Sequence, residues 1–264
     1  MIDKAKFKKD LALVRKNAPL VHNITNYVAM NNSANALLAI GASPVMIHGQ
    51  EEAADMAAIA GALVLNIGTI EGYWLKAMIL AGESACAHKH PVVLDPVGIG
   101  ATPYRAVACK EIIEKCAPAV IRGNASEIIA LVKTGAKTKG VDSTDSSDDA
   151  VDSAKILAKN TGAVVVVSGP TDYITDGTRV ECVKNGNPLM ARVTAMGCTA
   201  SAIVGAFVAV NPDAFDASVH AMAAMGICGE AAAEKAEGNG TMQLYFLDKM
   251  CALDDAMIDK YLKV

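Results

Sequence analysis

Polar residues sit at the carboxyl ends of several short apolar runs in this chain, and their types suit the binding of a phosphorylated ligand. Asn66 and Gly68 follow "LVL", Asp95 follows "VVL", Arg122 and Asn124 follow "VI", and Ser168 follows "VVVV". Each alone has a bland reading, because Asp before Pro belongs in turns and Asn before a helix is an N-cap. Their recurrence at equivalent positions points instead to a shared cleft. In "RGNASEI", Asn124 and Glu127 are three apart and meet on the first turn of a helix. Two readings stand there. One is a capping box, with Glu127 folded back on Asn124. The other is a pair of oxygen ligands, direct or through water, for Mg²⁺ carrying phosphates, with Asp95 supplying another oxygen.

A second stretch, "VTAMGCTASAIVGAF" (193–207), places Gly197, Cys198, Thr199 and Ala200 at the start of an apolar helix. Backbone N–H groups at a helix start lack partners, and the helix dipole is positive there. Small residues let a phosphate reach that backbone. The bland reading is a plain strand-to-helix turn in the core. Cys198 stands where a phosphate-handling loop would carry a carboxylate. Other nucleotide and hydrolase signatures are absent: no G-x-x-x-x-G-K-[ST], no G-x-G-x-x-G after the first strand, and no G-x-S-x-G. His88 and His90, two apart at a helix end or loop, read as solvated side chains rather than metal ligands.

These residues need a scaffold that aligns strand ends. Strand candidates are "SPVMIH" (43–48), "ALVLNIG" (62–68), "PVVLDPV" (91–97), "AVIRGN" (119–124) and "AVVVVSG" (163–169). Several are continuous apolar runs, as expected of parallel strands covered on both faces. "DYITDG" and "RVECVKNG" alternate more and read as a hairpin at a sheet edge. Helical spacing marks Tyr27–Ile40, Tyr73–Lys89, Pro103–Cys116 and Ser147–Asn160. Long helices are expected over Thr199–Val210, Asp213–Ala236 and Met242–Cys251. The alternation predicts a three-layer αβα fold with a mostly parallel central sheet flanked by helices. In such a sheet, ligands bind outside the carboxyl ends of the strands.

Composition agrees with a large buried core: 264 residues, 52% hydrophobic and only 20% charged. A net charge of −4 offers no basic footprint for nucleic acid. The apolar windows Ala53–Ile70 and Ala195–Val210 read as core rather than membrane spans. The charged, mixed start lacks the apolar segment of a secretory signal. Seven cysteines without a C-x-x-C pair argue against a disulfide framework or structural zinc and fit a reducing cytoplasm. The polar segment "KTKGVDSTDSSDDA" (137–150) reads as an exposed loop within one domain spanning 1–264, rather than a linker.

Assembled in order, these stretches resemble the hydroxyethylthiazole kinase family of the ribokinase-like superfamily. "PLVHNITNYVAMNNSANALLAIGASPVM", "LVLNIGT", "PVVLDPVGIGATPYR", "IRGNASEI", "VVVVSGPTDYITDG", "VTAMGCTASA" and "GNGTMQLYFLD" follow the family's order and spacing. The resemblance implies transfer of the γ-phosphoryl of ATP to the primary hydroxyl of 4-methyl-5-(2-hydroxyethyl)thiazole, with Mg²⁺. It also implies a homotrimer with active sites between subunits. By resemblance, Met46 contacts the thiazole, and Asn26 and Gly68 fall in stretches lining its pocket. Arg122 and Ser168 match nucleotide-binding positions, with Asn124 beside them. Asp95 and Glu127 match acidic positions near metal and phosphates. Gly197 and Cys198 match the anion-hole loop.

The chain departs from the family where "TGTGC" is usual and "TAMGC" stands. Ala195 replaces a glycine that contacts substrate through its backbone. A methyl there is tolerable only at negative φ. Met196 replaces a small hydroxyl residue and is expected to narrow or reshape the substrate pocket. Two alternatives remain at this level: a related small-alcohol kinase of the hydroxymethylpyrimidine type, and a non-catalytic module that binds ATP or a thiazole. A free thiol at a helix N-terminus is expected below its usual pKa, until bound ATP raises it. Cys198 is therefore read as a group that orients the substrate hydroxyl, and at most a weak base.

Overall fold

A computed structural model describes residues 2–135 and 147–263. The first elements are α1 (Lys4–Asn17), β1 (Leu20–Ile24), α2 (Met30–Ile40), β2 (Ser43–Val45), α3 (Ala53–Ile59) and β3 (Ala62–Asn66). They are followed by α4 (Gly72–Ala87), β4 (Val92–Asp95), α5 (Pro103–Cys116), β5 (Val120–Asn124) and α6 (Ala125–Gly135). Next come α7 (Ser147–Thr161), β6 (Val164–Ser168), β7 (Asp172–Thr175) and β8 (Val180–Val183). The last helices are α8 (Met196–Val208), α9 (Ala214–Ala233), α10 (Asn239–Ala252) and α11 (Asp255–Tyr261).

The strands form one eight-stranded sheet in the order β2-β1-β3-β4-β5-β6-β7-β8. All pairs from β2 to β6 are parallel, and β7 and β8 add antiparallel strands at the edge. The pleat sorts the apolar runs between two cores. Val64, Val93, Val120 and Val166 pack on one face with Phe7, Phe207 and α9. Leu63, Leu65, Leu94, Ile121 and Val165 pack on the other with residues from α4 to α7. This is the expected three-layer αβα arrangement. α8 is buried from Thr199 to Val208, which accounts for its uninterrupted apolar sequence.

Some elements escape sequence reading. β1 was not among the strand candidates because His22 and Asn23 break its apolar run. Both are fully buried, each with one side-chain polar atom engaged: His22 Nε2 lies 2.8 Å from the Ile47 carbonyl, and Asn23 Nδ2 donates to the Val21 carbonyl at 2.9 Å. α1 hides among lysines, yet it buries Phe7, Leu11 and Val14 at helical spacing. Its start is capped by Asp3, whose carboxylate accepts from the Ala5 and Lys6 N–H groups. Of the polar segment 137–150, residues 137–146 lie outside the described residues. Among the described residues, no helix is long and apolar enough to cross a membrane.

Candidate active site

The parallel register aligns the strand-end residues. Asn66 is paired with Asp95, and Asn124 with Ser168. Beyond β1, Asn26 donates from Nδ2 to Asn66 Oδ1 at 2.8 Å, and Asn66 Nδ2 donates to Asp95 Oδ2 at 2.7 Å. Ser201 on α8 closes this relay, donating to the same Asp95 oxygen at 2.8 Å. Asn26, Asn66, Asp95 and Ser201 are all buried. Asn26 Oδ1 accepts from the Val28 and Ala29 N–H groups, and Asn66 Oδ1 accepts from Gly68 N. The relay thus binds the ends of β1, β3 and β4 to one face of α8.

Asp95 keeps one oxygen, Oδ1, buried and without a partner. Burial raises its pKa to about 6, opposed by the nearby Arg122 guanidinium and reinforced by Glu127. Glu127 itself is fully engaged. Its Oε1 accepts from Gly98 N at 2.9 Å and its Oε2 from Asn124 N at 2.8 Å, while Asn124 Oδ1 accepts from Glu127 N at 2.9 Å. The capping box at the start of α6 is therefore formed, and it also fastens the turn after β4.

Cys198 faces the relay, and its sulfur accepts from Asn26 Nδ2 at 3.3 Å. Burial, with the Asp95 charge beside it, pushes the thiol up to about 11. The expected lowering by the helix N-terminus is thus outweighed, and Cys198 is a neutral thiol. Next to it, Gly197 faces the other way. A Cβ at this position would stand 2.8 Å from Arg122 Nη1, so the guanidinium packs directly on the bare backbone of the helix start. Arg122 Nη2 donates to Ser168 Oγ at 2.6 Å, and its buried Nε has no partner. Arg122, Ser168, Gly197, Met196 and Asp172 help line a cavity of about 550 Å³.

The helix start itself departs from expectation in two ways. Thr199 N is bonded to the Ala195 carbonyl at 2.8 Å. The donors without an intrahelical acceptor are therefore one residue earlier, at Met196, Gly197 and Cys198. Ala195 adopts φ 62°, ψ 7°, in the left-handed region. The methyl is accommodated at positive φ, not at the negative φ that tolerance of alanine required. Met196 lines the Arg122–Ser168 cavity, so its bulk falls on that side.

Met46 follows β2 and is half-buried. Its carbonyl lies 3.1 Å from His48 Nδ1, while Thr25 N lies 3.0 Å from His48 Nε2. His48 Nε2 lies equally 3.0 Å from the Thr25 carbonyl, so the contacts suit either neutral tautomer, and burial lowers the pKa of the ring. Sequence reasoning missed three positioning residues. His22 and His48 tie the Met46 loop to β1. Arg105 donates to the carbonyls of Ile67, Val97 and Gly68 at 2.6–2.7 Å, clamping two strand-end loops together. Ser201, three residues after Cys198, was detectable from helical spacing alone.

The architecture is a fold found in other proteins of known structure. A ribokinase-like superfamily protein from Enterococcus faecalis V583 shares the fold, with TM-score 0.66 at 14% identity over 93% of this chain and 88% of that one. The hydroxyethylthiazole kinase family model matches residues 11–256, and the chain belongs to that family. It is 53% identical over 246 residues to the hydroxyethylthiazole kinase of Nitratidesulfovibrio vulgaris strain DP4, covering 93% of this chain and 92% of that protein. The hydroxyethylthiazole kinase structure from Pyrococcus horikoshii OT3 superposes with TM-score 0.91 at 39% identity, covering 98% of both chains.

Proposed function

We propose that this chain transfers the γ-phosphoryl group of ATP to the primary hydroxyl of 4-methyl-5-(2-hydroxyethyl)thiazole, a step of thiamine salvage. The observation that carries this reading is the start of α8. Cys198 there faces a closed polar relay while Gly197 faces Arg122 and an open cavity. A helix N-terminus between two such sites suits phosphoryl transfer, which depends on positioning an acceptor against a phosphate chain. The acceptor alcohol sits on the Asn26, Met46 and Gly68 side. The nucleotide occupies the cavity, with its phosphates toward Arg122, Ser168 and the N–H groups of Gly197 and Cys198, and Asn124 beside Ser168.

Phosphoryl transfer passes through a loose transition state, so positioning and charge stabilisation dominate. Arg122 and the helix-start N–H groups provide fixed positive charge where negative charge develops. The Cys198 thiol is neutral, so it orients the hydroxyl rather than removing its proton. Ala195 supplies backbone at the boundary of the two ligands. The unpartnered Asp95 oxygen fits a bound Mg²⁺, and Glu127 fits only through water, since backbone donors occupy both its oxygens. Among the described residues there is no cluster of three or more metal-binding side chains. That suits Mg²⁺ that retains waters and phosphate ligands. When bound, Mg²⁺ would neutralise charge on the phosphates.

The whole chain, 1–264, acts as one kinase domain. It works as a homotrimer with sites between subunits, a reading supported by the exposed Tyr27 and Val28 beside the buried Asn26. Seven free thiols support a cytoplasmic setting. The test is ADP release with and without the thiazole alcohol, alongside hydroxymethylpyrimidine at equal concentration. Thiazole-dependent ADP release is expected. Preference for the pyrimidine alcohol, or binding without turnover of either, would sink the reading.

A further inference from the structure

The far wall of the cavity differs in kind from its Arg122 end. It forms where α9 meets the turn after β8: a Cβ on Gly226 would lie 2.6 Å from the Asn185 backbone oxygen, so the two segments touch directly. Its side chains are chiefly methionines, namely Met190, Met222 and Met225, and Met196 continues them toward the helix start. Methionine is flexible and polarizable, and adapts to the shape of what it covers.

Most side-chain polar groups along this wall are already engaged within the chain. The Asn185 amide donates to the Tyr261 carbonyl at 2.7 Å and accepts from Lys263 N at 3.0 Å, which leaves one of its N–H groups unused. Asn187 Oδ1 accepts from Leu189 N at 3.0 Å. Gly186 N donates to Glu230, Met190 N to the Asn187 carbonyl, and Gly169 N to Asp172. Pro170 and Pro188 have no N–H to offer. The side-chain groups left are one Asn185 N–H, the Asn187 NH₂ and the second Asp172 oxygen, and Asp172 is close enough to Arg122 to feel its charge.

We infer that this cavity selects its phosphoryl donor by the triphosphate and by purine shape, not by the pattern of base hydrogen bonds, so that GTP serves nearly as well as ATP. The inference rests on the cavity being the nucleotide site of the proposed kinase. Sites built to hydrogen-bond a ligand group reject its analogue by about 10⁴-fold or more, whereas apolar walls discriminate far less. An adaptable methionine wall would accommodate either purine.

The test compares binding of the adenosine and guanosine imidotriphosphates by calorimetry with Mg²⁺ present, together with kcat/KM for ATP and GTP at saturating thiazole. Both ratios are expected below about thirtyfold. A larger ratio overturns the inference while leaving the kinase reading intact. Equal binding without thiazole turnover supports the inference and removes the acceptor assignment instead. Failure of both analogues to bind overturns both. Asn187→Ala provides an internal control, because the ATP-to-GTP ratio is expected to stay unchanged even if the lost cap lowers stability. A selective loss for one purine would make Asn187 a base reader and refute the inference.

Discussion

Two regions flank the start of α8, and they are built on opposite principles. On one side, Asn26, Asn66, Asp95 and Ser201 form a buried relay in which every side-chain polar atom except Asp95 Oδ1 has at least one fixed partner. On the other, methionines and internally engaged amides surround an open cavity. The first holds a geometry, since moving one member leaves buried polar groups of another unpaired. The second holds a volume, and its side chains can repack. If the acceptor binds on the relay side as proposed, its selection is concentrated there, and tolerance on the cavity side.

The hardest blow to this contrast is expected from Asp95→Asn. The amide is nearly isosteric, but it removes the negative charge from the oxygen that has no partner in the fold. Loss of one such electrostatic group costs about 10²–10³-fold in kcat. Melting temperature should hold or rise, because a desolvated carboxylate is replaced by a neutral group. Steady-state kinetics with thermal melting checks both. Activity within tenfold of the parent would detach Asp95 from the chemistry.

Acid titration should separate the two regions by sign. His22, which ties the Met46 loop to β1, has its pKa lowered from 6.5 to about 4 by burial. Its stabilising contribution is present above pH 6.5 and is lost as pH falls toward 4. Asp172, on the cavity, has its pKa raised from 3.8 to about 6 by burial. Its contribution is present below pH 3.8 and is lost as pH rises through 6. Each is worth roughly 3 kcal/mol at full extent. Melting curves between pH 4 and 6.5 should therefore shift in opposite directions, relative to the parent, for His22→Asn and Asp172→Asn. Shifts of the same sign would show that one of the two environments has been misread.

Packing gives a milder version of the same contrast. Asn66→Ala strips a partner from both Asn26 and Asp95, at a cost of about 2 kcal/mol or more. Met222→Leu in the cavity wall conserves volume and should cost under about 1.5 kcal/mol. Denaturant unfolding of the two variants measures the difference, and equal costs would erase the distinction. A smaller effect is expected at the boundary. Because Cys198 is a neutral thiol, Cys198→Ser should keep kcat within about tenfold. A loss of nearly all activity would restore it as a base.

The scaffold was legible in the sequence where a residue's environment is local in sequence. β3, β4, β5 and β6 read as apolar runs because both sheet faces are covered, and the Asn124–Glu127 box reads from spacing alone. β1 did not, because His22 and Asn23 are buried beside backbone carbonyls that no periodicity reveals. The same limit separates the two regions. Asn66 and Asp95 end strands and so announce themselves, whereas Met190, Met196, Met222 and Met225 come from separate stretches that only the fold brings together. Arg105 was illegible for a similar reason, since its acceptors are backbone carbonyls on two other loops.

Ala195 joins the two regions and carries the smallest expected effect. Ala18 and Ala117 also have positive φ, at 42° and 38°, but they follow helices, where a left-handed residue is the usual way to end. Ala195 instead precedes α8, at φ 62°, and no side chain caps the helix. The left-handed conformation costs a non-glycine residue roughly 1–2 kcal/mol. Glycine would relieve that cost but gain unfolded-state entropy that opposes it by about 0.5–1 kcal/mol. Ala195→Gly should therefore stabilise the chain by about 0.5–1 kcal/mol, a rise of about 2 °C in Tm. Because the Ala195 carbonyl is fixed by Thr199 N, the helix start should keep its place and kcat should change less than about threefold. A fall in Tm would mean that the methyl makes contacts outweighing the strain. A large fall in kcat at unchanged stability would mean that the strained alanine itself holds the boundary between acceptor and nucleotide.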